Sequence, residues 1–414
     1  MAKRTGSADL PLHNGRVPAW LASRMAALGA VITAAVVHHY GREEFLQRLA
    51  HPFWFQSFGA VMGMDWHSSG ITTSVIGALK RGLKPLEGEL GIHVCGGRGQ
   101  HSRRTPDELR ALGYRIGIDS DRLTRASRLV AKVDSAAVQD GFDLYLHGFF
   151  VTTEGQWTVV QQGMNGSSLK ARRYHWYSGA LKSFVEEPHN AIDGVAQGDI
   201  INLTDRRAAK SRTAQLELLA GLGPDRIVAE FEAMQEGEPQ QLALPHLIMP
   251  AHHDVRAKDV FARRLHGTLA AAAERGPVDF ADLLLNPGVG ARTVRSLAMV
   301  AEVVHGAPYR FRDPARFSLA HGGKDRNPYP VPLKVYDETI RVLKSAVQNA
   351  RLGREEQMDA LKRLDQQSRL LERTAQGASL ESFISTERLA SPDLGGRSVF
   401  GWEAEIAARD GRSS

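Results

Sequence analysis

Apolar positions follow a helical period in some stretches of this chain and a strand period in others. A short apolar run at 90–95 predicts a buried strand. Residues 143–162 alternate apolar and polar positions on both sides of Glu154-Gly155, which predicts a β-hairpin. Apolar residues spaced three and four apart predict helices over most of residues 18–41, 72–82, 106–112 and 208–232.

A glycine-rich turn joins two further helical patterns. The first helix is predicted at Asp279–Leu285 and the second from about Ala291 to Val304. Paired glycines allow positive φ and let backbone N–H groups approach a ligand closely. Such groups at the start of a helix bind anions, and neighbouring arginines favour a phosphodiester. The segment looks like a helix-hairpin-helix motif, whose predicted DNA-binding residues are Gly288, Val289, Gly290, Arg292, Thr293 and Arg295.

An ordinary corner between two helices, with solvated arginines, is the alternative for this turn. Residues 292–351 contain 11 Lys and Arg against five Asp and Glu, which gives +6. The whole chain also carries +6, so the basic excess lies at and after the turn, as phosphate binding expects. A following loop adds Lys324 to the predicted DNA contacts, while its neighbours His321 and Asp325 fit either DNA contact or catalysis.

Composition indicates a globular protein in a reducing compartment. With 414 residues, 43% of them hydrophobic, the chain is long enough for two or three domains. Cys95 is the single cysteine, which rules out a disulfide framework, and we recognise no signal segment, so a cytoplasmic location is expected. The apolar segment 31–37 is too short to span a bilayer, so no membrane partner is expected.

The predicted β-hairpin carries a pattern similar to that of phospholipase-D-like phosphodiesterases. That resemblance implies a histidine that attacks phosphorus, an acid that orients a histidine, phosphate-binding lysine and asparagine, and no metal or other cofactor. His147 and Glu154 have the spacing of the histidine and the acid. Phe149 replaces the lysine, and Arg172 or Arg173 is a substitute donor. The candidate catalytic residues are His147, Glu154, Gln162, Asn165 and Arg172; a plain hairpin with a hydrogen-bonded core histidine is the alternative.

Cations alternate with aromatic rings in residues 172–177. Arg173 and Trp176 are therefore predicted to bind the backbone and to stack on unpaired bases of DNA. A half-buried strand or helix start, with the rings in the core, fits the same pattern.

The sequence bears on protein partners in two places. A single phospholipase-D-like half-site ordinarily needs a second, and the sequence shows no convincing second copy, so we expect a homodimer. Phe400 and Trp402 lie in a Ser- and Gly-rich tail, where aromatic residues favour docking of a protein partner or a packing strand.

Several longer strings resemble the domain-of-unknown-function family 763, an uncharacterised bacterial and archaeal family with a helix-hairpin-helix motif. The resemblance spans about residues 8–370 and implies no established activity. The strings are Trp54-Phe55-Gln56, Asp65-Trp66-His67-Ser68-Ser69-Gly70, Gln161-Gln162-Gly163-Met164-Asn165, Ala171-Arg172-Arg173-Tyr174-His175-Trp176 and His321-Gly322-Gly323-Lys324-Asp325.

These patterns predict an α/β N-terminal domain, with a phospholipase-D-like sheet and flanking helices, followed by an all-α helix-hairpin-helix domain. We expect a DNA-binding nuclease or phosphodiesterase of DNA repair or processing. The alternatives are a non-catalytic repair scaffold and a DNA glycosylase that uses Asp313, 23 residues after Gly290. The predicted divisions are a disordered segment at 1–10, the candidate catalytic domain at 11–205, a helical domain at 206–350 with its hairpin at 279–304, a C-terminal helix at 351–376 and a flexible tail at 377–414.

Overall fold

The computed structural model describes residues 19–62, 64, 70–168, 170–236 and 262–315, together with positions 341, 345, 348, 389, 397–398 and 401–402. Some predictions lie outside these residues. They include the disordered segment at 1–10, the loop with Lys324, the C-terminal helix at 351–376 and most of the tail, including Phe400.

Runs of helices and runs of strands follow one another along the described chain. None of the described helices combines the length and apolarity needed to cross a lipid bilayer. The helices are α1 Ala19–Tyr40, α2 Arg42–Leu49, α3 Pro52–Val61, α4 Gly70–Leu83, α5 Glu87–Leu90, α6 Gln100–Arg103, α7 Thr105–Ile116, α8 Ser120–Lys132, α9 Ala209–Glu217, α10 Pro224–Glu236, α11 Ala262–Arg275, α12 Phe280–Leu285 and α13 Ala291–His305. The strands are β1 Ile92–Arg98, β2 Val138–Gln139, β3 Asp143–Thr152, β4 Trp157–Asn165, β5 Lys170–Tyr177, β6 Ala191–Asp193, β7 Asp199–Asn202, β8 Arg310–Arg312, β9 Arg397–Ser398 and β10 Gly401–Trp402.

Five strands form the main antiparallel sheet, in the order β1-β3-β4-β5-β6. β3 and β4 are the hairpin expected from the sequence, with Val151 opposite Trp157 and Gly155 in the turn at φ +80°. β1 lies at one edge of this sheet. The expectation of a mixed α/β architecture is therefore confirmed, with every described strand pair antiparallel.

Helices cover both faces of the main sheet. Because strand side chains alternate, Leu146 and Phe150 on β3 pack against the layer of α1–α4, whereas Phe149 and Val151 pack in the core formed with α7–α13. Gly148 allows α4 to approach closely, because a Cβ there would come within 2.6 Å of the Ile76 side chain. Each face thus has its own apolar core.

The part of the chain after residue 205 does not form a separate all-α unit within the described residues. β7 pairs with β2 and β8, which makes a three-stranded antiparallel sheet. Leu269 of α11 and Leu297 of α13 belong to the same core as Phe149 of the main sheet. The apolar sides of these helices are buried against the sheet layer as well as against one another, so one core crosses the position where a domain boundary was predicted.

α12 and α13 lie where the glycine-rich turn predicted two helices. Asp279 caps α12 by accepting the Asp282 N–H at 2.7 Å. α13 begins after Gly290 and ends at His305, and Gly306, at φ +57°, forms the left-handed cap that follows it.

Candidate functional site

His147 lies in the middle of β3, and its ring contacts the layer of α8. The strand register places His147 opposite Gln161, and directly opposed residues share one face of a sheet. Ser127 on α8 and Asp134 in the π-helical turn after α8 are seven residues apart, which puts them on one side of the helix. Strand register and helical period therefore bring four polar side chains together inside an apolar layer.

The hydrogen bonds among these side chains fix the tautomer of His147. Gln161 Nε2 donates to Asp134 Oδ2 at 2.5 Å and to the Val130 carbonyl at 3.4 Å, so Gln161 Oε1 faces His147 Nδ1. Nδ1 consequently carries the proton, and Nε2 accepts the Ser127 hydroxyl at 3.1 Å. A hydroxyl donating to an imidazole lone pair is the arrangement of a nucleophile with its general base.

Burial controls the protonation state of His147. It lowers the pKa of His147, against the smaller opposing effects of the Gln161 hydrogen bond and the Asp134 charge, so the ring is neutral near pH 7. Asp134 also accepts Trp176 Nε1 at 3.0 Å and His189 Nε2 at 2.5 Å. These donors hold the carboxylate, and the carboxylate holds Gln161 and through it the His147 ring.

A pocket of about 210 Å³ opens beside these residues. Ser127, His147 and Gln161 line it, together with two exposed arginines, Arg103 of α6 and Arg128 of α8. Neither arginine makes an ion pair within the described part of the chain. Guanidinium groups in this position suit the non-bridging oxygens of a phosphodiester.

α8 also holds the turn between α12 and α13. Lys132 Nζ donates to the Val289 carbonyl, and Arg125 pairs with Asp282 at 2.8 Å. Lys132 lies four residues after Arg128, so the two side chains are neighbours on the surface of α8. The pocket and the turn therefore occupy adjacent parts of one helix.

The turn exposes its backbone and one arginine. Gly288, at φ +85°, and Arg292 are exposed. Three other residues of this segment that were predicted to contact DNA are buried: Val289, Thr293 and Arg295. A phosphate approaching this turn would meet the first-turn N–H groups of α13, which lack acceptors within the helix.

Glu154 does not lie near His147. Its carboxylate accepts from Arg42 at 2.6 Å, in the turn after β3. β3 continues for five residues beyond His147 before the turn that carries Glu154, so roughly 17 Å of strand lie between His147 and that turn. The acid that does reach the histidine, through Gln161, is Asp134.

Gln162 and Asn165 also lie away from the His147 ring. Gln162 is adjacent to Gln161 on β4, so its side chain points to the opposite face of the sheet. Asn165 Oδ1 accepts the N–H groups of Ser167 and Ser168 and closes the turn into β5. Neither side chain lines the pocket that contains His147.

Arg172 is fully buried between two carboxylates. Its terminal nitrogens donate to Asp313 at 3.1 and 2.7 Å and to Asp140 at 2.7 Å. Burial lowers the pKa of Arg172, but Asp313 and Asp140 outweigh burial and raise it above its usual range. Arg172 therefore joins β5 to the segment after β8, and Asp313, the acid of the glycosylase hypothesis, is occupied by the same ion pair.

Arg173 and Trp176 are buried as well. Arg173 donates to Asp193 at 2.6 Å and to Gln56 at 2.8 Å, on the side of α3, whereas Trp176 donates to Asp134 on the side of α8. The aromatic and basic run at 172–177 follows the two-residue alternation of β5, and its side chains lie in both cores. It offers no stacking surface for bases here.

Sequence reasoning missed Ser127, Asp134 and Gln161. The signal was present, because Ser127 lies among the apolar residues Leu123 and Val130 on one side of α8, where a polar side chain needs an internal partner. Gln161 is the residue directly opposite His147 in the hairpin, a pairing that follows from the position of the turn. What the sequence lacked was the contact between helix and sheet.

The chain belongs to the DUF763 family, a family of proteins of unknown function, which it matches over residues 6–331. The family resemblance seen in the sequence is thereby confirmed. The matched range includes both the His147 pocket and the turn between α12 and α13. No curated protein and no solved structure matches the chain.

Proposed function

We propose that this member of the DUF763 family is a DNA-binding phosphodiesterase, a nuclease of DNA repair or processing. One observation carries the proposal: α8 supplies Ser127 and Arg128 to the pocket of His147 and, through Lys132, holds the exposed turn between α12 and α13. A basic surface that binds phosphates next to a hydroxyl-imidazole pair is what backbone cleavage requires.

In this proposal His147 acts as a general base for Ser127. The imidazole Nε2 takes the hydroxyl proton as Ser127 Oγ attacks phosphorus, and the protonated ring returns that proton to the leaving nucleoside oxygen as its P–O bond breaks. Water, deprotonated by His147, then hydrolyses the phosphoserine and regenerates the hydroxyl. Arg103 and Arg128 stabilise the charge on the phosphoryl oxygens during both steps.

The turn between α12 and α13 binds the DNA backbone in this proposal. Phosphate oxygens meet the N-terminal turn of α13, where the helix dipole is positive. Arg292 and the ammonium of Lys132 add positive charge beside the exposed Gly288 backbone. Binding is therefore expected to weaken with salt, in proportion to the number of phosphates contacted.

The test compares two buried histidines on opposite faces of the sheet. His147→Gln is expected to lower the cleavage rate by about 100-fold or more, because general-base catalysis is lost. His175→Gln, whose parent ring contacts the Leu49 carbonyl, is expected to cleave at the parent rate. The assay uses single-stranded, duplex and flap DNAs with and without EDTA, and circular dichroism and DNA binding verify that each variant is folded.

Ser127→Ala makes a smaller change in the same pocket and is expected to abolish cleavage with DNA binding intact. Cleavage by His147→Gln or Ser127→Ala at the parent rate would contradict this site. Salt-sensitive binding without cleavage of any substrate by the parent would favour the repair-scaffold alternative, and release of a free base would favour a glycosylase.

A further inference from the structure

A second pocket, of about 620 Å³, lies at the edge of the main sheet between α4 and α7. The proposed nuclease chemistry does not use it. Its volume is in the range of small-molecule sites. Four basic side chains and two carboxylates line it: Lys80, Arg81, Lys84, Arg115, Glu87 and Glu108.

The two carboxylates do not neutralise this pocket. Glu108 pairs with Lys80 at 2.6 Å, and Glu87 is shared by Arg115 at 2.7 Å and Lys84 at 3.4 Å. Arg81 is exposed and makes no ion pair within the residues described. The excess of positive charge suits an anionic group.

His93 gives the pocket a buried polar atom. Its side chain is only 4% exposed, and its Nδ1 lies 3.4 Å from both Glu87 and Arg115. Within the described structure Nε2 has no hydrogen-bond partner, although His93 lines the pocket. A buried polar nitrogen without a partner is costly, so a bound group that pairs with it is favoured.

The edge strand β1 adds the backbone N–H and C=O of Val94 to the same pocket. The Thr153 N–H donates to the Gly91 carbonyl, and the Gly99 N–H donates to the Tyr145 carbonyl. With the register of Ile92 opposite Thr152, these bonds place Val94 in a pair that does not exchange hydrogen bonds with β3. The N–H and C=O of Val94 therefore point away from β3, on the side where Val94 lines the pocket.

We propose that this pocket binds a nucleoside phosphate whose base has an amino donor next to a ring-nitrogen acceptor, as in adenine. The base edge pairs with the carbonyl and N–H of Val94, and the phosphate lies among Arg81, Lys84 and Arg115. His93 Nε2 bonds a polar group of the ligand between these two ends. Neither the base nor the phosphate alone makes both sets of contacts.

Isothermal titration calorimetry on the full chain tests this site with adenosine 5′-monophosphate. The double variant Arg81→Ala, Lys84→Ala is expected to weaken binding by about tenfold or more, because two phosphate contacts are lost. Arg110→Ala is the control, since this half-exposed arginine of α7 pairs with Asp107 and does not line the pocket. It is expected to bind like the parent, as is His147→Gln, which separates this site from the proposed nuclease site.

Adenosine and ribose 5-phosphate are expected to bind at least tenfold more weakly than the monophosphate, and His93→Phe is expected to weaken binding in a chain that still melts cooperatively. No saturable binding of the monophosphate at millimolar concentration would overturn the proposal. Equal affinity of the Arg81/Lys84 double variant and the Arg110 control would contradict the contact of these two side chains with the phosphate. Ribose 5-phosphate binding as tightly as the monophosphate would remove the Val94 contact.

Discussion

Arg172 and Asp313 are charged residues placed where solvent does not reach them. Their bidentate pair, completed by Asp140, satisfies groups that would each be costly to bury alone. Burial also raises the pKa of Asp140, against the effect of Arg172, because a carboxylate in this environment is poorly solvated. The pair connects β5 to residue 313, far apart in sequence, so its energetic role is to hold that junction.

Replacing Arg172 with Met is expected to destabilise the chain by about 3–5 kcal/mol, since two carboxylates would stay buried without their partner. Arg110→Met, which breaks the exposed pair with Asp107, is expected to cost less than about 1 kcal/mol. Urea unfolding measures both. Equal effects of the two substitutions would show that the buried pair does not hold the junction.

The proposed role of His147 has its own pH signature. A general base acts in its unprotonated form, and burial lowers the pKa of His147 below its ordinary value of about 6.5. DNA cleavage is therefore expected to stay constant as the pH falls to about 6.5 and to decline only below it. A single-turnover rate measured against pH tests this, and a rate already halved at neutral pH would contradict His147 as the base.

At the scale of elements, α8 is the common support of the pocket and the turn. One side of the helix carries Ser127 toward the sheet, and its surface carries Arg128 and Lys132 toward the pocket and the Val289 carbonyl. The turn itself depends on Gly288, whose φ of +85° is strained for any residue with a side chain. A Cβ there would also come within 3.1 Å of Thr268 Oγ1.

Gly288→Ala is accordingly expected to destabilise the chain by about 1–2 kcal/mol and to weaken DNA binding. Gly267→Ala is the matched control, because Gly267 lies in the helix α11 with open space around it. That substitution is expected to stabilise the chain by about 0.5–1 kcal/mol. Thermal melting measures the change in stability, and a salt-dependent DNA titration measures the change in binding. If both substitutions changed the stability in the same direction, this account of the turn would be contradicted.

At the scale of the whole molecule, the main sheet carries a core on each face, and buried histidines occur in both layers. His147 lies on the α8 side, whereas His175 lies on the side of α1–α4. Burial lowers the pKa of both and brings that of His51 to about 4.

The homodimer stays a prediction, which analytical ultracentrifugation tests directly.

These histidines make the stability of the fold depend on pH. A histidine with a lowered pKa is neutral in the folded chain, so below about pH 6.5 the unfolded chain binds more protons and folding loses stability. We expect the melting temperature to fall between about pH 7 and pH 5. His175→Gln is expected to reduce that dependence. A melting temperature independent of pH over this range would contradict the argument.

The sequence by itself determined the local elements and the family. The period-two alternation around Gly155 determined the β3–β4 hairpin, because side chains on a strand must alternate between faces. The apolar stripe after Gly290 determined α13, and the strings of the family resemblance were sufficient for the family. Each of these depends on residues close together along the chain.

Only the tertiary structure decided which polar residues meet. The sequence placed His147 on a strand, but the packing of α8 against the sheet brought Ser127 to its Nε2 and Asp134 to Gln161. The run of cations and rings at 172–177 fitted either a base-stacking surface or a half-buried strand or helix start, and helices covering both faces of β5 made it an interior. The physical reason is that periodicity fixes the direction of a side chain relative to its own element, whereas burial and hydrogen-bond partners depend on the element packed against it.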